Sequence, residues 1–400
     1  MFQLKNLLRP HILTLTPYSS ARDEYTGTEG VFLDANENPY GPTLGGPTLG
    51  GSTTAEVHFN RYPDPHQWAI KQRLAPIKGV RPEQIFLGNG SDEPIDLLIR
   101  ATCIPGVDSP GVDSPGVDSP GHDSILIMPP TYGMYEVSAT INDVAITKIP
   151  LTADFQVDLP AVLAGITETT KIVWLCSPNN PSGNRLRADD IRTVLETATQ
   201  SLVVVDEAYI DFSPDKSWTS ELDRYPNLVV LQTFSKAWGL AGLRLGMCFA
   251  SEELIAVLNK IKPPYNISAP TQTLALEALT READKNAMVA EIQTERGYLA
   301  EHLQLLPDVQ LIYPSDANFL LVRFADAQAT FEYLIREQVI VRDRSRVKHC
   351  DGCLRISVGT RAENERLLEV LRQQHENTAT PRLPLGNGQQ ATKPELVSNA

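Results

Sequence analysis

The sequence predicts an α/β protein in which a large domain contains a parallel, doubly wound sheet and a second, smaller domain is of the α+β type. Between about residue 84 and residue 250, short apolar runs alternate with amphipathic stretches, which is typical of a parallel sheet with helices on both faces. After Lys262-Pro-Pro264, two long helical stretches precede further apolar runs. With 400 residues and 42% hydrophobic content, the chain is long enough for both domains.

The strands of the large domain are predicted from short apolar runs. These runs are Ile85–Leu87, Ile125–Met128, Val144–Ile149, Ile172–Cys176, Leu202–Val205, Leu228–Leu231 and Leu245–Phe249. Apolar residues at helical spacing predict helices over Asp92–Cys103 and Ala188–Ala198.

The second region is predicted to begin with helices near 269–283 and 286–305. It continues with the strands Asn318–Arg323, Val339–Val341 and Leu354–Val358, and a final helix near 361–374. We therefore expect an N-terminal arm with part of the small domain over residues 1–52, a large domain over 53–265 and a small C-terminal domain over 266–376. Residues 377–400, where Pro, Gly, Asn, Gln and Thr dominate, are predicted to form a disordered tail.

Two segments are tandem repeats, Gly-Pro-Thr-Leu-Gly from Gly41 and Pro-Gly-Val-Asp-Ser from Pro105. Units this short cannot build a solenoid, whose repeats run to twenty residues or more. Pro-Gly with Asp-Ser is typical of turns, so both segments are predicted to be expanded surface loops.

Charge and cysteine content narrow the function. Lys and Arg total 35 against 49 Asp and Glu, and this acidic balance without a basic run argues against nucleic acid or an anionic membrane as partner. The sequence shows neither a signal peptide nor an apolar run that approaches a membrane span. Five scattered cysteines argue against a disulfide framework, and this favours a location in the cytoplasm. His349-Cys350-Asp-Gly-Cys353 lacks a second ligand pair for zinc, so we interpret it as a solvent-facing turn and expect no metal.

The most informative run contains Thr233-Phe-Ser-Lys236 and, eight positions after the lysine, Arg244. A lysine amine can form a Schiff base with an aldehyde, while hydroxyl and guanidinium groups bind phosphate. Asp206 closes the apolar run that begins at Leu202, at the strand end where open α/β sheets bind ligands. A carboxylate there can keep a pyridine nitrogen protonated, so the chemistry indicates pyridoxal phosphate.

Four further segments offer possible cofactor ligands, and each is a weak signal by itself. Asn179 follows a strand, and Tyr209 lies three residues past Asp206, so both can reach the phenolic oxygen of the cofactor. Gly88-Asn-Gly-Ser91 joins a strand to a helix, where backbone amides and a hydroxyl can bind phosphate, although plain turns and caps have the same composition. Tyr132 can stack on the pyridine ring, but an isolated aromatic is more often a core residue.

Together, in this order, these motifs resemble the fold-type I aminotransferases. Finer detail resembles the histidinol-phosphate aminotransferase family over about residues 10 to 375. The motifs that carry this resemblance are Leu15-Thr-Pro-Tyr18, Leu33-Asp-Ala-Asn-Glu-Asn-Pro39, Arg61-Tyr-Pro-Asp-Pro65, Gly88-Asn-Gly-Ser-Asp-Glu93, Pro130-Thr-Tyr-Gly-Met-Tyr135 and Leu354-Arg-Ile-Ser-Val-Gly-Thr-Arg361.

The resemblance implies a mostly parallel seven-stranded sheet, pyridoxal phosphate as cofactor, and roles for individual residues. Lys236 would be the Schiff-base lysine and proton carrier, Asp206 would pair with the pyridine nitrogen, and Asn179 and Tyr209 would hold the phenolic oxygen. The remaining cofactor ligands would be Ser91, Asp92, Tyr132, Thr233, Ser235, Arg244 and, from the partner subunit, Tyr62. Substrates would contact Arg355, Arg342, Asn36 and, across the dimer, Tyr18.

In this family, Arg355 would bind the carboxylate of glutamate, and Arg342 with Tyr18 would bind the phosphate of histidinol phosphate. The implied enzyme is a homodimer with shared active sites, which transfers the amino group to 2-oxoglutarate in histidine biosynthesis. Two alternatives remain at this point: an aromatic amino acid aminotransferase, and a pyridoxal-phosphate decarboxylase that acts on threonine phosphate.

Overall fold

The structure is a computed structural model that describes residues 2–17, 61–106 and 123–379. Tyr18, Asn36, the Gly41 repeats, most of the Pro105 repeats and residues 380–400 lie outside the described residues. The predicted domain boundaries, and the loops and tail predicted in those segments, stay predictions.

The large sheet has seven strands in the order β1-β7-β6-β5-β4-β2-β3. Strand β7 runs antiparallel to both of its neighbours, and the other pairs are parallel. The predicted mostly parallel seven-stranded sheet is therefore confirmed. The strands are β1 (Ile85–Asn89), β2 (Ser124–Ile127), β3 (Ala145–Lys148), β4 (Thr170–Cys176), β5 (Leu202–Asp206), β6 (Leu228–Thr233) and β7 (Leu245–Phe249).

The helices pack on both faces of this sheet because successive side chains of a buried strand point to opposite faces. In β5, Val203 and Val205 join one core cluster, whereas Leu202 and Val204 join the other. The helices of the first half of the chain are α1 (Leu4–Leu7), α2 (Pro10–Thr14), α3 (Trp68–Lys78), α4 (Asp92–Thr102), α5 (Met134–Ile141), α6 (Leu159–Gly165) and α7 (Ala188–Thr197). Short 3-10 helices span Pro82–Gln84, Ile210–Phe212, Trp218–Glu221 and Ala241–Leu243.

The second sheet has four antiparallel strands in the order β10-β11-β9-β8, packed against the last helices around a separate apolar cluster. None of the helices in the described part of the chain combines the length and apolar character that a membrane span needs. The elements are α8 (Glu252–Ile261), α9 (Ala269–Leu279), α10 (Glu282–Leu303), β8 (Val309–Ile312), β9 (Phe319–Phe324), α11 (Ala327–Arg336), β10 (Arg342–Asp343), β11 (Cys353–Ser357) and α12 (Arg361–Ala379).

Three details of this second region differ from the predictions. Strand β8 was missed because it is short and lies at the sheet edge, where it is only half-buried to exposed. The predicted strand Val339–Val341 is wrong, since pairing with β11 begins only at Arg342. Helix α12 continues to Ala379, beyond the predicted end at 374 and into the segment predicted to be disordered, because Gln374 bonds Thr330 and Asn377 bonds Tyr333 on α11.

The turn at His349–Cys353 is not solvent-facing at its thiols. Cys350 and Cys353 are both fully buried and belong to the core cluster of the large sheet. Burial raises the pKa of the Cys350 thiol to about 12, so the thiol remains protonated. This part of the sequence prediction is wrong because the apolar thiols, not the polar residues around them, decide the orientation of the turn.

Candidate active site

A cleft with a volume of about 770 Å³ opens where the carboxyl ends of β1, β4, β5 and β6 meet. Parallel strands present their carboxyl ends at one edge, which explains why distant segments of the sequence converge there. The predicted site residues that line this cleft are Ser91, Asp92, Tyr132, Asp206, Tyr209, Thr233, Ser235, Lys236, Arg244, Arg342 and Arg355. Asn179 and Tyr62 do not line it.

Asp206 is the buried carboxylate of the cleft. Only 2% of the residue is exposed, and burial raises the pKa of its carboxyl to about 6. Two donors oppose this rise: the hydroxyl of Tyr135, 2.6 Å from Oδ2, and the backbone N–H of Ala208, 3.1 Å from Oδ1. A buried acid with its ionised form supported in this way is suited to pair with a ring nitrogen that carries a proton.

Lys236 follows the last residue of β6 by three positions and is half-buried in the cleft. Burial and then the charges of Arg355 and Arg244 lower the pKa of its amine. A lower pKa increases the neutral fraction of the amine, which is the form that attacks an aldehyde. The amine nitrogen lies 5.6 Å from the ring centroid of Tyr209, so these two predicted residues lie close together in the cleft.

One end of the cleft has groups that could bind a phosphate. Gly90 has a φ of +66°, and a Cβ atom at this position would lie 2.6 Å from Nη2 of Arg244. The absence of a side chain therefore lets the guanidinium approach the turn, and the N–H of Gly90 donates to the carbonyl oxygen of Arg244 at 2.8 Å. Ser91 stands at the N-cap of α4 without a side-chain capping bond. Backbone N–H groups at such a helix start favour an anion.

Two other residues predicted for this end, Thr233 and Asp92, also form hydrogen bonds with neighbouring protein groups. Thr233 is buried, and its Oγ1 accepts a hydrogen bond from the N–H of Ser235 at 3.0 Å, so this hydroxyl stabilises the turn as well as lining the cleft. Asp92 accepts from the hydroxyl of Tyr132 at 2.9 Å and approaches Nη2 of Arg244 at 3.5 Å. Asp92 thus positions two cleft residues.

The asparagine predicted to reach the cofactor after β4 is Asn179, but the next residue in the chain is the one that lines the cleft. Asn179 is 1% exposed, and its Nδ2 donates to the carbonyl of Pro130 at 2.9 Å and to Oγ of Ser182 at 2.7 Å. Both of its amide hydrogens are therefore used away from the cleft. Asn180 lines the cleft instead and accepts from Nη1 of Arg355 at 2.6 Å. Asn180, not Asn179, therefore presents its side chain to the cleft.

The wall opposite the sheet carries three arginines. Arg342 of β10 lies directly across from Arg355 of β11, and Arg344 follows two residues later; all three line the cleft. The Arg355 guanidinium carbon is 5.2 Å from the ring centroid of Phe319. Such a concentration of positive charge indicates anionic substrates. Arg344 was not among the predicted residues, although its spacing from Arg342 matches the two-residue period of a strand.

Tyr62 lies away from the cleft and is half-exposed, with its ring stacked on Tyr265 at a centroid distance of 4.4 Å. Tyr135 was also missed by the sequence analysis, because a fully buried tyrosine in a helix resembles an ordinary core residue. Its ring stacks on Trp174 at 4.6 Å, which aims its hydroxyl at Asp206.

Comparison with other proteins identifies the family. The sequence pattern of "Aminotransferase class I and II" matches residues 30–371. Histidinol-phosphate aminotransferase from Cytophaga hutchinsonii is 54% identical over 371 residues, which cover 93% of this chain and 99% of that protein. The chain belongs to the class I and II aminotransferases. The predicted enzyme class, a pyridoxal-phosphate-dependent aminotransferase, is thereby confirmed.

Solved structures confirm the predicted fold-type I architecture. Histidinol-phosphate aminotransferase from Clostridium acetobutylicum matches with a TM-score of 0.70 at 22% identity, covering 80% of this chain and 92% of that chain. L-threonine-O-3-phosphate decarboxylase from Porphyromonas gingivalis matches with a TM-score of 0.65 at 22% identity, covering 80% and 91%. Because an aminotransferase and a decarboxylase share this fold, the substrate has to be argued from the site.

Proposed function

We propose that this aminotransferase acts on L-histidinol phosphate and 2-oxoglutarate and forms imidazole-acetol phosphate and L-glutamate, a step of histidine biosynthesis. The observation that carries the proposal is the pairing of Arg342 with Arg355 on one wall of the cleft that Lys236 also lines. The 54% identity with the Cytophaga hutchinsonii enzyme supports the same reaction.

Each arginine serves a different anion in this proposal. Histidinol phosphate has no carboxylate, so its phosphate takes the exposed Arg342. Glutamate uses its α-carboxylate, which Arg355 binds through a bidentate contact. Asn180 holds Arg355 in place by accepting its Nη1 hydrogen bond.

The residues of the cleft fit pyridoxal phosphate from one end to the other. When bound, the cofactor supplies an aldehyde that takes up the amino group and a ring that accepts electrons from the substrate carbon. Arg244, Ser91, Thr233 and Ser235 would bind its phosphate, and Asp206 would keep the ring nitrogen protonated. Asn180 and Tyr209 would hold the phenolic oxygen. Lys236 would hold the aldehyde, and its Nζ would move the proton at the substrate α-carbon.

The enzyme is proposed to be a cytoplasmic homodimer with shared active sites. Tyr62 does not line the cleft of its own chain, and in this proposal it would reach the cofactor phosphate of the partner subunit. All five cysteines are buried free thiols, which is typical of proteins in a reducing compartment.

An assay with three amino donors side by side tests the proposed reaction. Purified holoenzyme receives 2-oxoglutarate with histidinol phosphate, phenylalanine or phosphothreonine, and both glutamate and CO2 are measured. We expect the highest kcat/KM for histidinol phosphate, with glutamate as product and no CO2. The Lys236→Ala variant is the control and should form neither product. A higher kcat/KM for phenylalanine, or CO2 release from phosphothreonine, would overturn the proposal.

A further inference from the structure

We propose that Arg344 is a specificity-determining residue that binds the substrate phosphate together with Arg342. This inference rests on the proposed function and adds a second guanidinium to the phosphate site, one that the sequence analysis did not include.

The backbone places Arg344 on the same wall as the other two arginines. Side chains two residues apart in an extended segment point to the same side, so Arg342 and Arg344 face the cleft while Asp343 faces away. The N–H of Arg344 donates to the carbonyl oxygen of Cys353 at 2.9 Å, which continues the pairing of β10 with β11 by one residue. The N–H of Val347 donates to the carbonyl of Arg344, also at 2.9 Å, and fixes the following turn.

The side chain of Arg344 lacks a partner for part of its guanidinium. Its Nε is buried and has no hydrogen-bond acceptor among the described residues. A buried N–H without an acceptor costs free energy, and this cost is removed when a ligand supplies an oxygen. The neighbouring carboxylate of Asp343 accepts from the N–H of Ser345 at 2.7 Å through Oδ1, and it does not bond Nε of Arg344.

The charge around Arg344 favours an anion with two negative charges. Burial lowers the pKa of its guanidinium, and the positive charges of Arg355 and Arg342 act in the same direction. An arginine nevertheless stays charged in a protein. A phosphate monoester, with close to two negative charges at neutral pH and three acceptor oxygens, can bind two guanidinium groups at once. A single carboxylate offers half of that charge.

The affinity ratio between histidinol phosphate and histidinol isolates the contribution of the phosphate. Apparent Kd values for both amines are measured from single-turnover spectra of the holoenzyme, for wild type and for Arg344→Gln. We expect the ratio in favour of histidinol phosphate to fall by about tenfold to a hundredfold in Arg344→Gln, since charge-assisted hydrogen bonds are lost. Arg344→Lys should recover part of the ratio.

Arg346 provides the matched control because it is an exposed arginine in the same segment that does not line the cleft. Arg346→Gln should leave the ratio unchanged. An unchanged ratio in Arg344→Gln, or a loss of affinity that is equal for both amines, would overturn the role of Arg344 while leaving the proposed function intact. A wild type that binds both amines equally would instead overturn the proposed function and this inference with it.

Discussion

The ionised form of Asp206 depends on a hydrogen bond from Tyr135. Tyr135 donates to its carboxylate from below the cleft, and the ring of Tyr135 is held by stacking on Trp174. Without this bond, desolvation alone would push the acid further toward its neutral form. A neutral acid cannot stabilise a charged ring nitrogen, so we propose that Tyr135 positions the carboxylate and keeps it ionised for its role beside the cofactor ring.

Tyr135→Phe removes the hydroxyl and leaves the stacked ring in place. We expect kcat to fall roughly tenfold to a hundredfold, the size of one hydrogen bond to a charged group, and the acidic limb of the pH–rate profile to move to higher pH. Tyr225→Phe is the control, because it removes a similar bond, to Glu196 at 3.1 Å, far from the cleft. A lower kcat with an unmoved pH profile would show that Tyr135 has only a structural role.

Asp206→Asn tests the raised pKa of this carboxyl in the cofactor-free protein. A pKa raised from 3.8 to about 6 on folding stabilises the protein below about pH 4, and that contribution is lost as the pH rises to about 6. Between these values, the free energy of unfolding of wild type should therefore fall relative to that of Asp206→Asn, as measured by urea denaturation. Parallel pH profiles for the two proteins would contradict the raised pKa. In the holoenzyme, the same substitution should lower kcat by roughly a hundredfold or more.

At the scale of structural elements, we propose that the short strand pair β10–β11 decides which anions the cleft accepts. Its cross-strand register aligns Arg342 with Arg355, and β9 supplies Phe319 against the Arg355 guanidinium. The loop after β4 contributes Asn180 to the same group. The anion-binding wall therefore combines segments from both sheets, and the two guanidinium groups can be tested separately.

Arg342→Leu should weaken the histidinol phosphate half-reaction by about tenfold to several hundredfold, because a charge-assisted contact to phosphate is lost. The glutamate half-reaction should change much less. Arg355→Leu should show the opposite pattern and impair glutamate more. Single-turnover spectra of each half-reaction measure the two effects independently. Equal slowing of both halves by Arg342→Leu, or no slowing, would remove the role assigned to this residue.

The positions of helices and strands could be predicted from the sequence better than the orientation of side chains within turns. Lys236, Asp206 and Arg244 could be located because their positions follow from apolar strands and the edge where these strands end. The choice between Asn179 and Asn180 depends on which amide the turn buries, and that is set by contacts with Pro130 and Ser182 that come from elsewhere in the fold.

Longer-range packing explains the other omissions. Tyr135 is recognisable only once the sheet places Asp206 above it, 71 positions later in the chain. Arg344 was overlooked because the predicted strand ended at Val341, so the alternation that aligns Arg344 with Arg342 was not visible. The local sequence pattern is that of a core residue for Tyr135 and of a surface residue for Arg344. Their further roles depend on tertiary contacts, which the local pattern does not show.

At the scale of the whole molecule, the proposed dimer can be tested with mixed subunits. Tyr62→Phe removes a hydroxyl and preserves the ring that stacks on Tyr265. In a dimer of one Tyr62→Phe subunit and one Lys236→Ala subunit, the site that keeps its lysine receives an intact Tyr62 from the partner. We therefore expect its activity to return to that of a site in a dimer of wild type with Lys236→Ala.

Copies with two different affinity tags allow these mixed dimers to be purified, and steady-state rates per intact lysine are compared with those of the Tyr62→Phe homodimer. Rates that stay at the homodimer level would show that Tyr62 acts within its own subunit. Isolation of monomers alone would contradict shared active sites altogether.

We propose that one cleft takes an amino group from a phosphate ester and passes it to a dicarboxylate. The most direct test adds one equivalent of histidinol phosphate to the holoenzyme, follows the cofactor spectrum, and then adds 2-oxoglutarate. We expect a complete spectral change in the first step without CO2, followed by return of the original spectrum and one equivalent of glutamate per site in the second. Release of CO2, or an unchanged spectrum with histidinol phosphate, would contradict it.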